Sequence, residues 1–213
     1  LEDQAIAWQD TLSPDVSPML PANAPVLAAL ALPAVMVVSN AADTGFDAWI
    51  LRFAGLLATE RPLVQVREKG LERLRVQHLL SRTLARATPF GSPVVVNSDC
   101  GEFPQADGIH LTATALMAAA SRPAARLVGA SCHDAREVAH AAQLGLDYIV
   151  VGTVKATASH PGAATLGWEG FASLVRDCPL PAYAIGGLTR ADLAEARRHG
   201  AHGVALRSAA LPA

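Results

Sequence analysis

The sequence predicts an α/β fold of the TIM (β/α)8 barrel type over residues 33–213. Three observations lead there. Eight short apolar runs recur from Pro33 onwards, and several are continuously apolar rather than alternating, as strands covered on both faces are. The stretches between most of them carry helical spacing. Two turns near the C-terminus, at 183–188 and 203–209, each break an apolar run with small or polar residues, one βα unit apart. In such a barrel the turns after the last two strands hold a phosphate on backbone N–H groups and a short helix N-terminus. The alternative is an open doubly wound sheet, which needs a reversal of strand order that a sequence does not display.

Residues 1–32 read as a linker or N-terminal extension, mixing Asp, Gln, Ser and Pro with isolated apolar residues and showing no period. Residues 16–42 carry no charge, but Pro18, Pro21, Pro25 and Pro33 interrupt them and Asn23 and Asn40 lie among them. A spanning helix needs about 20 unbroken apolar residues, so no membrane span is expected. No basic segment precedes an apolar core, so no signal peptide is expected either. The chain opens on Leu1 rather than Met, which reads as a processed or excised piece.

The first strand is expected at 35–38 (Val-Met-Val-Val) and the second at 63–66 (Leu-Val-Gln-Val). The third follows at 94–96 and the fourth at 108–111, with about ten residues between them that include Gly101 and Pro104. That connection is too short for a full helix, so one barrel helix is expected to be short or missing. The remaining strands are expected at 127–130, 148–151, 182–185 and 203–206. Between the fifth and sixth, Ala135, Val138, Ala139 and Ala142 fall at i, i+3, i+4 and i+7 and predict one apolar helix face. Ser131 with Asp134, and Thr189 with Asp192, have capping-box spacing at helix starts, and Gly145 and Gly200 suit helix C-termini.

The chain has 213 residues, 51% of them hydrophobic, which suits one sizeable core. Its net charge of −2 offers no basic excess for nucleic acid. Cys100, Cys132 and Cys178 are too few and too scattered for a disulfide framework or a zinc site. They read as thiols of a reducing compartment, which places the chain in the cytoplasm.

Chemistry in such a barrel gathers where strands end. Gln65, Arg67 and Lys69 alternate at the second strand's end and would share a face, where two cations and an amide suit a phosphate or diphosphate. The plain alternative is a solvated helix start with Glu68 neutralising Arg67. Asn97-Ser98-Asp99 offers hydrogen bonds and a metal carboxylate, or ordinary turn chemistry; the turn is preferred for Asp99 and Asn97 stays open. His110 lies inside an apolar strand, as a core histidine or a catalyst, with Ser131 and His133 further on. The loop from Gly152 to Gly162 carries Lys155, Thr157, Ser159 and His160, suited to gripping an anion or to a surface connection. Gly186-Gly187 and Arg207-Ser208 would together surround one anion.

Taken in order, Gln65-x-Arg67-x-Lys69, Asn97, Asp107-Gly108-Ile109-His110-Leu111, Val128-Gly129-Ala130-Ser131-Cys132-His133, Asp147-Tyr148, Ile185-Gly186-Gly187-Leu188 and Val204-Ala205-Leu206-Arg207-Ser208-Ala209 resemble the thiamine-phosphate synthase and thiazole tautomerase superfamily. The resemblance spans residues 33–211 and implies a transfer reaction. A pyrimidine diphosphate loses diphosphate, and a thiazole phosphate captures the pyrimidine-methyl cation to give thiamine phosphate. It implies a diphosphate site at Gln65, Arg67 and Lys69 and a thiazole-phosphate cradle at Gly186, Gly187, Arg207 and Ser208, with Asn97 at the family's Asn-Asp pair; from the loop chemistry, Thr157 and Ser159 are further candidates for binding the anion. It also implies Mg2+ to steady the departing diphosphate.

The sequence departs from that pattern where the family holds its metal. Ser98 replaces the Asp of the family's Asn-Asp pair, leaving Asp99, one residue on, as the candidate metal carboxylate. Thr112-Ala113-Thr114-Ala115 replaces Gly-Gln-x-Asp, His160 stands at the synthase lysine, and Thr153 stands at the tautomerase histidine. Trp8-Gln9 and residues 18–27 resemble the connector of bacterial proteins that fuse a Nudix hydrolase to such a barrel, which implies a Nudix domain of the same polypeptide as partner. The expected function is a synthase-like barrel that binds a phosphorylated heterocycle, with His110, Ser131 and His160 as catalytic candidates. The alternatives are a non-catalytic ligand-binding domain serving that partner, or an isomerase using His110, His133 or His160 as proton carrier.

Overall fold

The structure is a computed structural model and describes residues 8–10, 13, 15, 19–157 and 164–207. Its contacts divide the chain into two compact units, Leu1–Leu32 and Pro33–Ala213. In the first, a 3-10 turn at Pro21–Asn23 leads into helix α1 (Ala24–Ala31), where the sequence suggests only a linker. Pro25, in the first turn of α1, fits there because its missing N–H would have no intrahelical partner in any case. No described helix is long and apolar enough to cross a membrane.

The second unit begins β1 (Val35–Val38), α2 (Ala41–Thr44), α3 (Phe46–Leu57), β2 (Leu63–Val66), α4 (Arg73–Ala87) and β3 (Val94–Asn97). It continues β4 (Gly108–Leu111), α5 (Ala113–Ala118), β5 (Leu127–Cys132), α6 (Ala135–Gln143) and β6 (Tyr148–Gly152). It ends α7 (Gly167–Val175), β7 (Ala182–Ile185), α8 (Leu193–Arg198) and β8 (Gly203–Leu206). The strands pair in parallel in chain order, and β8 closes on β1. All eight fall on the apolar runs. The β3–β4 connection carries only a 3-10 turn, Ser98–Cys100, so the helix expected to be short or missing is indeed reduced to that turn.

Alternation along the strands builds two cores. Val64, Val66, Val94, Val96, Val204 and Leu206 point outward into one cluster with helix residues such as Phe53, Leu79 and Phe171. Their neighbours Met36, Leu63, Val95, Tyr148 and Tyr183 are fully buried but stand apart from that cluster, filling the lumen. Gly129 makes room there: a Cβ at this position would sit 2.1 Å from the Tyr148 ring. Tyr183 crosses Tyr148 edge-on at 5.6 Å, and its hydroxyl donates to the Pro33 carbonyl at 2.6 Å.

Two local expectations need correction. Ser131 does not cap α6; β5 runs through it, and the Asp134 side chain caps the helix by accepting from the Glu137 N–H at 2.9 Å. The buried face of α6 is Val138 and Ala141, while Ala135 and Ala139 are exposed, because alanine suits either environment and so fits the apolar period without being packed. The Thr189–Asp192 capping box forms as the spacing predicts. Gly145 and Gly200 close α6 and α8 with positive φ.

Candidate functional site

The strand ends gather at one mouth of the barrel. At β2, Val64 and Val66 face the helices, so Gln65 and Arg67 face the lumen. Gln65 is buried, Arg67 half-buried and Lys69 exposed. Among the described residues, no carboxylate pairs with Arg67 or Lys69. Glu68 does not neutralise its neighbour. It is 3% exposed, and its Oε1 accepts from the Ser39 hydroxyl at 2.5 Å and the Ala41 N–H at 2.8 Å, while its Oε2 accepts from the Ala42 N–H at 2.8 Å. The carboxylate thereby takes up free amides at the start of α2. The Ser39 hydroxyl in turn accepts from the Arg67 N–H at 2.9 Å. The loops after β1 and β2 are thus bound together beneath Arg67. Sequence reasoning missed this lock. A sign of it was available, because extending the outward alternation Val64, Val66 reaches Glu68.

The ends of β3 and β4 are tied by short side chains. Asn97 is 1% exposed and its Oδ1 accepts from the Asp99 N–H at 3.2 Å, so it serves the turn. The Ser98 hydroxyl accepts from the Thr112 N–H at 3.0 Å, and the Thr112 hydroxyl accepts from the Ala115 N–H at 3.1 Å as the cap of α5. Asp99 is exposed and, among the described residues, its side chain accepts only a long contact from the Cys100 thiol, 3.7 Å. Burial first, and then the Asp99 and Glu68 carboxylates, hold that thiol above its ordinary range. Among the described residues no cluster of three or more His, Cys, Asp or Glu has metal-holding geometry.

Below the mouth, His110 is 1% exposed, with Nδ1 3.1 Å from the Tyr148 hydroxyl and Nε2 3.0 Å from the Ser131 hydroxyl. Burial, with the nearby Arg67 charge, pushes its imidazole down to about 3, so it is neutral near pH 7. Burial raises the Tyr148 phenol well above its usual value. The structure therefore brings His110 and Ser131 together as one hydrogen-bonded pair. His133 is exposed at the start of α6 and pairs with Glu137 at 3.1 Å, apart from that pair.

The loop after β6 lies across the turn after β7. Val154 N–H donates to the Ile185 carbonyl at 2.9 Å and Lys155 N–H to the Gly186 carbonyl at 3.0 Å. A Cβ on Gly187 would stand 2.4 Å from the Ala156 carbonyl, and one on Gly186 2.4 Å from the Thr153 methyl, so only glycines allow this approach. Lys155 Nζ meets Asp192 Oδ1 at 2.5 Å, pinning the loop to the cap of the next helical segment; this hydrogen bond leads the causes that lower the Asp192 carboxyl. Thr157 is half-buried in the same loop. Ser159, His160 and Ser208 lie outside the described residues. Arg207, exposed at the end of β8, pairs with Asp43 of α2 at 2.8 Å, across the β8–β1 seam. An open groove of about 560 Å3 lies beside the loops after β1 and β2, between the α2–α3 corner and α4, lined by Ala41, Phe46, Arg75 and His78 among others.

The chain matches the family model described as thiamine monophosphate synthase over residues 35–210. It belongs to the thiamine monophosphate synthase family. A putative thiamine-phosphate synthase of Geobacter sulfurreducens is 36% identical over 162 residues, covering 73% of this chain and 76% of the relative. The thiamine-phosphate synthase of Chloroflexus aurantiacus is 34% identical over 158 residues, covering 71% and 72%. Among solved structures, the thiamine phosphate pyrophosphorylase from Pyrococcus furiosus superposes with a TM-score of 0.65 at 23% identity, over 82% of this chain and 85% of that one, and supports the barrel fold.

Arg67 and Lys69 stand at the end of β2 and the Gly186–Gly187 turn follows β7, at the positions where the sequence resemblance expects anion contacts. Among the described residues there is no carboxylate set that would hold Mg2+. At the two positions where the resemblance expects acidic ligands stand Ser98, spent on the Thr112 amide, and Ala115, whose own amide caps onto Thr112. Hydroxyls already holding backbone N–H groups are poor partners for a cation that favours carboxylates. Among the described residues, this donor set does not fit a protein-held metal.

Proposed function

We propose that the mouth binds a phosphorylated heterocycle of the thiamine-phosphate type, and that the barrel is a divergent transferase joining a pyrimidine diphosphate to a thiazole phosphate. Arg67 is the observation that carries this reading: a half-buried guanidinium beside a neutral imidazole, unmatched by any carboxylate among the described residues, calls for an anionic ligand. In the transfer, the carbon–oxygen bond of the pyrimidine-methyl diphosphate breaks with its electron pair on the departing diphosphate. The thiazole nitrogen lone pair then forms the new carbon–nitrogen bond. Arg67 and Lys69 would stabilise the charge that gathers on the diphosphate. The turn at Gly186 and Gly187, with Ser208, would seat the thiazole phosphate. Arg207 would join them on leaving Asp43. No step is assigned to a metal held by this chain. Incubation with both substrates, with and without Mg2+, tests the reading: thiamine phosphate is the expected product, and no turnover at high protein concentration rejects the transferase.

The Ser98–Thr112 tie favours a second reading, a ligand-binding barrel without turnover. It would show saturable calorimetric binding of thiazole phosphate or thiamine phosphate and no product; absence of heat with both ligands rejects it as well. Under either reading residues 1–32 would connect residues 33–213 to a Nudix hydrolase domain of the same polypeptide.

A further inference from the structure

We infer that Tyr148 is a positioning residue, whose buried hydroxyl fixes His110 as the Nε2–H tautomer and thereby sets the Ser131 hydroxyl as a hydrogen-bond donor toward the mouth. A proton count along one chain of contacts fixes the tautomer. Tyr148 is fully buried, and His110 Nδ1 at 3.1 Å is the acceptor within reach of its hydroxyl among the described residues. His110 Nε2 stands 3.0 Å from Ser131 Oγ, and Ser131 is half-buried at the end of β5. A neutral imidazole carries one proton on one of these two nitrogens.

With the proton on Nδ1, the ring donates to the Tyr148 oxygen. The phenol proton is then left in the lumen with no acceptor, beside the edge of Tyr183. With the proton on Nε2, Tyr148 donates to Nδ1, His110 donates to Ser131 Oγ, and every buried group is matched. The one proton left over is on the Ser131 hydroxyl, which is partly accessible at the mouth and free to donate to a ligand acceptor. The charged imidazolium is disfavoured by burial and by Arg67, so the choice is between the two neutral forms. The lumen is shaped for this contact. Gly129, paired with Tyr148 between β5 and β6, leaves the space the phenol ring occupies, and a side chain there would displace the ring from His110.

The tautomer belongs to the resting barrel, so its test needs no substrate and does not depend on the transferase reading. Histidine side-chain 15N spectra, with the His110 signals identified by their loss in His110→Asn, report which nitrogen carries the proton. The expected result is a single Nε2–H pattern for His110, unchanged between pH 5 and 8. In Tyr148→Phe the two nitrogen shifts are expected to move toward each other as the bias is lost. In Ser131→Ala the Nε2–H pattern is expected to remain, because the phenol rather than the serine sets it. An Nδ1–H pattern in the unsubstituted protein overturns the inference. So do unchanged His110 nitrogens in Tyr148→Phe, or a switch to Nδ1–H in Ser131→Ala. If Tyr148→Phe does not fold, the unsubstituted protein and Ser131→Ala still decide.

Discussion

Substituting Glu68 by Gln tests how the mouth is built. The carboxylate accepts from the Ser39 hydroxyl, the Ala41 N–H and the Ala42 N–H, all within 2.5–2.8 Å, and is almost wholly buried. Glutamine fits the same space but replaces one acceptor oxygen with an NH2 group. Whichever way the amide turns, at least one backbone N–H of α2 then faces another donor. A hydrogen bond to a charged group contributes about 1.5–3 kcal/mol, and a stranded buried donor costs about 1–3 kcal/mol. These overlap in part, so a net loss of about 2–4 kcal/mol is expected. At about 2–4 °C per kcal/mol for a domain of this size, the melting temperature should fall by about 5–15 °C. Circular dichroism melts of the ligand-free protein at pH 7 measure it. A fall below about 2 °C would show that water satisfies these amides as well as the carboxylate does, and the lock would lose its energetic meaning.

Three further outcomes follow from the same geometry. Gly129→Ala would place a methyl 2.1 Å from the Tyr148 ring in a filled lumen, and overpacking of this kind costs about 1–3 kcal/mol; an unchanged urea midpoint would contradict the packing described. His110 takes its proton at about 3 when folded against 6.5 as an ordinary imidazole, so between those values the unfolded chain binds a proton that the folded chain does not. Its contribution is full above pH 6.5 and is lost as the pH falls toward 3, in total about 4–5 kcal/mol at 1.36 kcal/mol per pH unit. The acid limb of stability should therefore flatten in His110→Asn, and an equally steep limb in both proteins would contradict this. Calorimetric titration of Mg2+ into the protein alone should give no saturable heat, since Ser98 and Thr112 hold amides rather than offering carboxylates; saturable binding without diphosphate would contradict it.

The barrel was legible because its strands are buried on both faces, and eight short apolar runs, several of them continuous, are hard to read otherwise. The short β3–β4 link was legible from its length alone. The α6 face was misread because Ala is neutral between buried and exposed positions, so Ala135 and Ala139 fit the period without being packed. Glu68 escaped because its partners Ser39, Ala41 and Ala42 lie 26 to 29 residues away. In sequence the Arg-Glu-Lys run looks like a solvated helix start. Arg207 was assigned to the phosphate cradle by its place after β8. Its pairing with Asp43, 164 residues away, depends on barrel closure. His110, Ser131 and Tyr148 all lie in the family pattern, but the contact of Tyr148 with His110 is not legible there, because a tyrosine inside a strand reads as core until its hydroxyl's partner is known.

The central claim is that the C-terminal mouth is a phosphate-ligand site. A crystal structure with thiazole phosphate tests it most directly. The account predicts the phosphate between the Gly187 and Ser208 turns, with the ring directed toward Ser131 and Arg67. A phosphate seated elsewhere, such as the groove beside Arg75 and His78, with the mouth empty, would contradict it.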